Sequence, residues 1–334
     1  MKNKVAYLGA GTWGSALACL LAENGHDVKV WDRDLDLIKI LDEKRKHPKL
    51  KDFEISKDIK YLSSLEDVLE DCDVIVESVT SSGIRPVFQK IKEIKKDLCP
   101  VIITSKGLEQ KTGLLFPEIF LDIFSEEEKE KVGCISGPSH AEEVIKKLPT
   151  SVVCSAYNKK LMHDIALLFN SENFRVYPNA DILGVSFGGA LKNIIAIACG
   201  ISDGLSFGDN TKAALMTRGL HEMRKLSPSK GCNPQTLNGL SGLGDLCVTC
   251  LSSLSRNYRF GRLIAEGFSL EDAKIKIGMV VEGAYTCVSA RELGMKYDVA
   301  LPITEAIYRI LYEGLSPHEA VKALFQRAIK EEHL

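Results

Sequence analysis

Three short stretches of this chain carry residue types that do chemistry. Lys192 and Asn193 stand inside the run Gly188-Gly189-Ala190-Leu191-Lys192-Asn193-Ile194-Ile195-Ala196-Ile197-Ala198-Cys199-Gly200. Apart from that pair the run is small or apolar, the pattern of a helix buried on every face. The two glycines read as its start, which puts Lys192 in the first turn. Burial and the helix dipole both oppose a positive charge there. They push the lysine's pKa down, toward the range of a proton donor or acceptor. The plain alternative is a lysine at the helix edge that snorkels to water. Asp245 follows the glycine-rich stretch Gly239-Leu240-Ser241-Gly242-Leu243-Gly244. A lone acid in apolar company needs a partner, and Lys192 is the candidate; otherwise Asp245 caps the next helix. Ser255-Arg256-Asn257 precedes the helical pattern Phe260, Leu263, Ile264. A hydroxyl, a guanidinium and an amide at a helix start make a small phosphate site, or else a plain N-cap with a surface arginine.

These residues need a scaffold, and the N-terminal half begins one. Val5-Ala6-Tyr7-Leu8 reads as a strand, followed by Gly9-Ala10-Gly11-Thr12-Trp13-Gly14 and a helical pattern through Leu17, Leu20 and Leu21. Asn24-Gly25 ends that helix, and Asp27 to Asp32 is the next strand. This is the dinucleotide fingerprint in its strand–turn–helix–strand context. Gly9 permits the tight turn, Gly11 lets the backbone approach a pyrophosphate, and Gly14 lets helix and strand pack closely. Asp32, closing the second strand, would accept hydrogen bonds from the ribose of NAD, whereas Arg33 would pair with the 2′-phosphate of NADP. The chain carries both, so use of both NAD(H) and NADP(H) is expected, with Arg33 sustaining NADPH.

Further strands are read at 59–62, 73–79, 100–105, 132–136, 151–154 and 174–177, alternating with helical segments. That alternation predicts an α/β domain of Rossmann type, with a doubly wound, mostly parallel sheet. Ligands bind such sheets beyond the carboxyl ends of the strands, where Lys106 and the turn Gly137-Pro138-Ser139-His140-Ala141 fall. From about Asp181 the strand signal fades. Helices are expected over Thr211–Leu226, from Ser255, and over Gly283–Leu293, Thr304–Tyr312 and Pro317–Lys330. The predicted domains are therefore 1–180, binding the dinucleotide, and 181–334, all-helical and carrying substrate and catalysis.

Composition sets the bounds. With 334 residues and a formal net charge of −2, the chain has room for two cores and lacks the basic excess of a nucleic-acid binder. Ten scattered cysteines fit a reducing, cytoplasmic setting. Cys247-Val248-Thr249-Cys250 lacks the second ligand pair that zinc needs, so no metal is expected and both thiols are read as buried. Lys2, Lys4 and the small-residue run to Cys19 imitate a signal peptide, but cleavage there would discard the fingerprint, and the strand–helix reading is preferred. No run reaches the roughly 18 apolar residues of a membrane span.

Taken in order, these motifs resemble the bacterial-type NAD(P)-dependent glycerol-3-phosphate dehydrogenases. The resemblance rests on Gly9 to Gly14, Ser105-Lys106-Gly107, Ser136-Gly137-Pro138-Ser139, Ala190-Leu191-Lys192-Asn193, Asp203-Gly204, Gly208-Asp209-Asn210, Gly242-Leu243-Gly244-Asp245, Ser255-Arg256-Asn257 and Val281-Glu282-Gly283. It spans nearly the whole chain. It implies a 6-phosphogluconate-dehydrogenase-like fold and reversible reduction of dihydroxyacetone phosphate to sn-glycerol 3-phosphate, feeding phospholipid synthesis. Lys192 would be the proton donor and acceptor. Lys106, Gly137, Ser139, Asp245, Ser255, Arg256 and Asn257 would surround the substrate. Thr12, Trp13, Arg33, Lys106, Ala141, Arg256, Val280 and Glu282 would contact the cofactor, and a homodimer would form through the helical domain. Two residues depart from the pattern: Thr80 stands where a proline is common, and Asp32 where a small neutral residue is common. Other two-domain hydroxy-acid or sugar-acid dehydrogenases and a non-catalytic nucleotide sensor are the alternatives. A phosphate site argues against the first and an intact Lys192–Asp245 pair against the second.

Overall fold

The computed structural model describes residues 2–50, 53–329 and 331–332. It divides into two compact units, one of Met1–Lys106 and Phe116–Ser186, the other of Gly107–Leu115 and Phe187–Leu334. The changeover near residue 186 falls inside a helix, and the excursion of 107–115 into the second unit is not visible as a boundary in the sequence. Within that excursion Leu108 bridges to Leu115.

The first unit is built on strands β1 (Lys4–Leu8), β2 (Asp27–Trp31), β3 (Lys60–Tyr61), β4 (Val74–Glu77), β5 (Val101–Ile103), β6 (Val132–Ser136), β7 (Thr150–Ala156) and β8 (Phe174–Asn179). They form one sheet in the order β3-β2-β1-β4-β5-β6-β7-β8. Every pairing is parallel except β6 with β7. Only the short helix Ala141–Val144 lies in the β6–β7 connection, and that is too little for a helical crossover. Its helices are α1 (Thr12–Glu23), α2 (Leu35–Lys44), α3 (Leu65–Leu69), α4 (Ile84–Ile94), α5 (Phe116–Phe124), α6 (Ala141–Val144) and α7 (Lys159–Phe169). One core gathers β1, β2, α1 and α7 through Tyr7, Leu17, Leu21, Val30 and Phe169. Phe88 of α4 packs edge-on against Phe120 of α5, ring centroids 5.9 Å apart. The strand order reverses between β1 and β4, so the loops after those strands flank the crevice where such sheets take ligands.

The second unit is helical: α8 (Ile182–Gly204, whose first turn belongs to the other unit), α9 (Gly208–Leu226), α10 (Asp245–Leu251), α11 (Arg256–Ala265), α12 (Leu270–Ile277), α13 (Glu282–Lys296), α14 (Pro302–Tyr312) and α15 (Pro317–Phe325). The helix expected to reach Lys330 stops at Phe325, and Lys330 itself lies outside the described residues. The start expected for the Lys192 helix is corrected too. α8 begins at Ile182, where Asp181 accepts a hydrogen bond from Gly184 N–H at 2.8 Å, as an N-cap does. Gly188 and Gly189 are therefore mid-helix, and Lys192 is well past the first turn.

The glycines of α8 serve contact. A Cβ on Gly188 would lie 2.4 Å from the Ser241 carbonyl oxygen, and one on Gly200 would lie 2.0 Å from that of Tyr258. α8 is thus enclosed by its neighbours. By length and apolar composition it reaches the size of a membrane-crossing helix, which the sequence run does not suggest, yet it is buried as the core of its unit.

Candidate functional site

Each unit carries a cluster at which ligand chemistry converges. In the first, the fit to a dinucleotide rests on the glycine turn. Gly9 has φ +106, and a Cβ there would lie 2.6 Å from the Ser78 carbonyl oxygen. A Cβ on Gly14 would lie 2.0 Å from the Gly9 carbonyl oxygen. Gly11, between them, has nothing within 4 Å of such a Cβ: open space stands where a pyrophosphate would approach. Gly11 caps α1 without a side-chain bond, and no acid stands in the first turn. The N–H groups of Thr12, Trp13 and Gly14 therefore present the positive end of the helix dipole. Trp13 Nε1 is buried with no hydrogen-bond partner. These residues fit a bound dinucleotide.

Asp32 follows β2 and uses both carboxylate oxygens on backbone. Oδ2 accepts from Ala10 N–H at 2.7 Å and Oδ1 from Asp34 N–H at 2.9 Å. The acid thus ties the glycine turn to the end of the second strand. Arg33 beside it is exposed.

At the ends of β5 and β6, the Gly137 carbonyl accepts from Lys106 Nζ at 2.9 Å and from Ser139 Oγ at 3.0 Å. Gly137 has φ +140, a conformation open to glycine. Ala141 opens α6. Between the glycine turn and Lys106 sits a residue that sequence reading passes over. Glu77 ends β4 and is 0% exposed. Its Oε1 accepts from Val79 N–H at 2.6 Å and from Ser105 Oγ at 2.8 Å, while Oε2 has no partner. Burial pushes its carboxyl up to about 7 against those hydrogen bonds. A glutamate inside an apolar strand run leaves no periodic signal that would single it out.

In the second unit, the Lys192 side chain is 9% exposed and that of Asp245 1%. Lys192 Nζ donates to Asp245 Oδ1 and, at 2.7 Å, to Thr249 Oγ1, which in turn donates to the Asp245 carbonyl at 2.6 Å. The ammonium is therefore paired and hydrogen-bonded, the condition under which a charge is tolerated inside. A π-helical turn, Leu240–Gly244, delivers Asp245 to the first position of α10. Such turns recur at functional sites.

Ser255 is the N-cap of α11, its Oγ accepting from Tyr258 N–H at 3.2 Å. Arg256 Nη1 reaches the Val280 carbonyl at 3.5 Å, just before Glu282 opens α13. Asn257 is buried; its Nδ2 donates to Asn193 Oδ1 at 3.0 Å and its Oδ1 accepts from Gly283 N–H at 2.9 Å. It clamps the starts of α11 and α13 to the residue beside Lys192. The structure thus makes two hydrogen-bonded groups, Lys192 with Asp245 and Thr249 and Asn193 with Asn257, which meet where Lys192 and Asn193 adjoin along α8. Sequence reading misses Thr249 because its contact with Lys192 arises only in three dimensions. Cys250 is buried against Cys199, a contact that pushes its thiol up; Cys247 is only half-buried, contrary to expectation.

Residues 4–162 match the family model described as the NAD-dependent glycerol-3-phosphate dehydrogenase N-terminus, and residues 181–322 match its C-terminus counterpart. The chain is 54% identical over 332 residues to a glycerol-3-phosphate dehydrogenase (NAD(P)+) of Protochlamydia amoebophila, covering 99% of this chain and 100% of that protein. It is 53% identical to that of Chlamydia felis, with 100% of both covered. A crystal structure of glycerol-3-phosphate dehydrogenase from Coxiella burnetii superposes with a TM-score of 0.93 at 37% identity, covering 98% of this chain and 99% of that one.

Proposed function

Because the chain belongs to the NAD-dependent glycerol-3-phosphate dehydrogenase family, we propose that Lys192 moves the proton in its reaction and that Ser255-Arg256-Asn257 recognises the substrate phosphate. The chain is an oxidoreductase acting on a CH–OH group with NAD(H) or NADP(H). When bound, the nicotinamide supplies or accepts the hydride. Lys192, as an ammonium held by Asp245, stabilises negative charge developing on the carbonyl oxygen of dihydroxyacetone phosphate and then protonates it. In the reverse direction the amine takes that proton from glycerol 3-phosphate. Asp245 and Thr249 fix Nζ in direction, so the proton travels along one path.

The glycine turn with Thr12 and Trp13, Asp32 and Arg33 at the second strand, and Lys106, Ala141, Arg256, Val280 and Glu282 hold the cofactor. The substrate residues that the resemblance implies are Lys106, Gly137 and Ser139 in the first unit and Lys192, Asp245, Ser255, Arg256 and Asn257 in the second. The same proposal places the enzyme in the cytoplasm as a homodimer, supplying phospholipid synthesis. Ten free cysteines support the reducing compartment.

One observation carries this reading: a lysine on a core helix whose ammonium is bonded to a buried carboxylate and a buried hydroxyl. The test of the substrate assignment follows reduced-cofactor absorbance with dihydroxyacetone phosphate and with unphosphorylated dihydroxyacetone. Turnover is expected with the phosphate. Arg256→Ala should raise KM for the phosphorylated ketone by about one to two decades, the worth of a charged hydrogen bond, and leave the unphosphorylated ketone nearly unchanged. Equal losses on both would remove Arg256 from phosphate recognition. Cofactor affinity measured alongside separates the two contacts assigned to this arginine.

A further inference from the structure

The proposed chemistry uses the carboxyl ends of the strands and leaves their amino ends without a role. There Cys72 stands just before β4 and Cys99 just before β5. The β4–β5 ladder pairs Ile75 with Val101, and Ile75 N–H donates to the Pro100 carbonyl at 2.9 Å. The two cysteines therefore enter adjacent strands, one residue out of register with each other. Their sulfurs are 3.5 Å apart.

Lys95, at the end of α4, donates Nζ to the Leu69 carbonyl at 3.2 Å and reaches Cys72 Sγ at 3.5 Å. Of the acids flanking Cys72, Asp71 is exposed and Asp73 accepts Lys4 N–H at 2.7 Å. Both cysteines are half-buried rather than enclosed. The hydrogen bond with Cys99, joined by the Lys95 ammonium, brings the Cys72 thiol down to about 7 against its burial; the same bond pushes Cys99 up. Cys199 and Cys250 also meet, but both are buried and Cys250 is pushed up.

We propose that Cys72 and Cys99 form a peroxide-reactive dithiol, with Cys72 as the attacking thiolate, Cys99 as the resolving thiol and Lys95 as the cation that steadies the thiolate. The Cys72 thiolate attacks one oxygen of hydrogen peroxide. The O–O bond breaks, the departing hydroxide takes a proton to become water, and Cys72 is left as a sulfenic acid. The Cys99 sulfur then attacks the Cys72 sulfur. An S–S bond forms, the S–O bond breaks, and the hydroxide leaves with the Cys99 proton as a second water. Two thiols lose two electrons and two protons, and one peroxide becomes two waters. A reducing thiol restores the pair by exchange.

The test treats the full chain with hydrogen peroxide under native conditions, then unfolds it, alkylates it with iodoacetamide and maps its peptides. The first product expected is a Cys72–Cys99 linked peptide that dithiothreitol removes. In Cys99→Ser the sulfenic acid has no resolving thiol, so dimedone should label Cys72. Lys95→Met should slow cross-linking at pH 7 by roughly two- to threefold, because the thiolate loses its cation but keeps the hydrogen bond with Cys99. Native iodoacetamide labelling of the untreated chain, which needs no variant, should modify Cys72 ahead of the other cysteines. A first cross-link elsewhere, a Cys72 that labels no faster than the rest, or a Lys95→Met rate equal to wild type would each overturn the proposal.

Discussion

Two acidic residues show how a single side chain sets behaviour here. Asp32, assigned to the ribose, also holds the turn itself, its carboxylate bonded to Ala10 N–H and Asp34 N–H. Its removal should therefore loosen the glycine turn and weaken NADH and NADPH together. Arg33→Ala should instead cut use of NADPH alone, by about one to two decades. The ratio of kcat/KM for the two cofactors, measured in wild type and both variants, checks this; an unchanged ratio in Arg33→Ala would take that residue out of phosphate recognition. Glu77 governs a pH effect. The folded chain holds its proton up to about pH 7, whereas an ordinary carboxyl, as in the unfolded chain, releases it near 4.5. The folded state thus binds more protons across that window, and stability falls as pH rises through it. A shift of that size is worth roughly 3 kcal/mol. Urea unfolding at pH 5 and pH 8 should show Glu77→Gln gaining about that much on wild type at the higher pH. Parallel pH dependence in both proteins would show that Glu77 does not titrate in this range.

At the scale of elements, most strands of the sheet are legible in the sequence because they are short apolar or alternating runs closed by turn residues. The fingerprint is legible because its glycines have distinct steric duties. Gly14→Ala should destabilise the protein or leave it insoluble, since its Cβ would sit 2.0 Å from the Gly9 carbonyl oxygen. Gly11→Ala meets no protein atom within 4 Å and should keep the melting temperature while weakening cofactor binding. Melting curves with and without NADH distinguish these outcomes; equal losses of melting temperature in the two apo variants would contradict the assignment. The start of α8 is misread for a related reason. A glycine pair looks like punctuation, but Gly188 makes room for the backbone at Ser241. Tertiary contact decides its role, and local pattern does not carry that contact. The turn before α10 and the helix α12 are hidden because glycine-rich and charged stretches show weak periodicity.

For the whole molecule, the order of strand-rich and helix-rich halves is readable from periodicity, while the membership of 107–115 in the second unit is not. Gly113, at φ +65, would bring a Cβ within 3.3 Å of Leu293, a long-range contact with no local signature. The site follows the same rule. Lys192 and Asp245 are legible because a charge in apolar company needs a partner. Asn257 reads as a ligand group and is found clamping Asn193 to Gly283 N–H. Across these scales the proton is assigned to Lys192, buried on α8. Lys192→Met tests that assignment most directly, with turnover on dihydroxyacetone phosphate and NADH affinity by fluorescence titration measured on the same preparation. Loss of a general acid and its charge predicts a fall in kcat of at least about 10²–10⁴-fold with NADH affinity retained. A variant keeping more than about a tenth of wild-type turnover would contradict the assignment of Lys192 as proton donor.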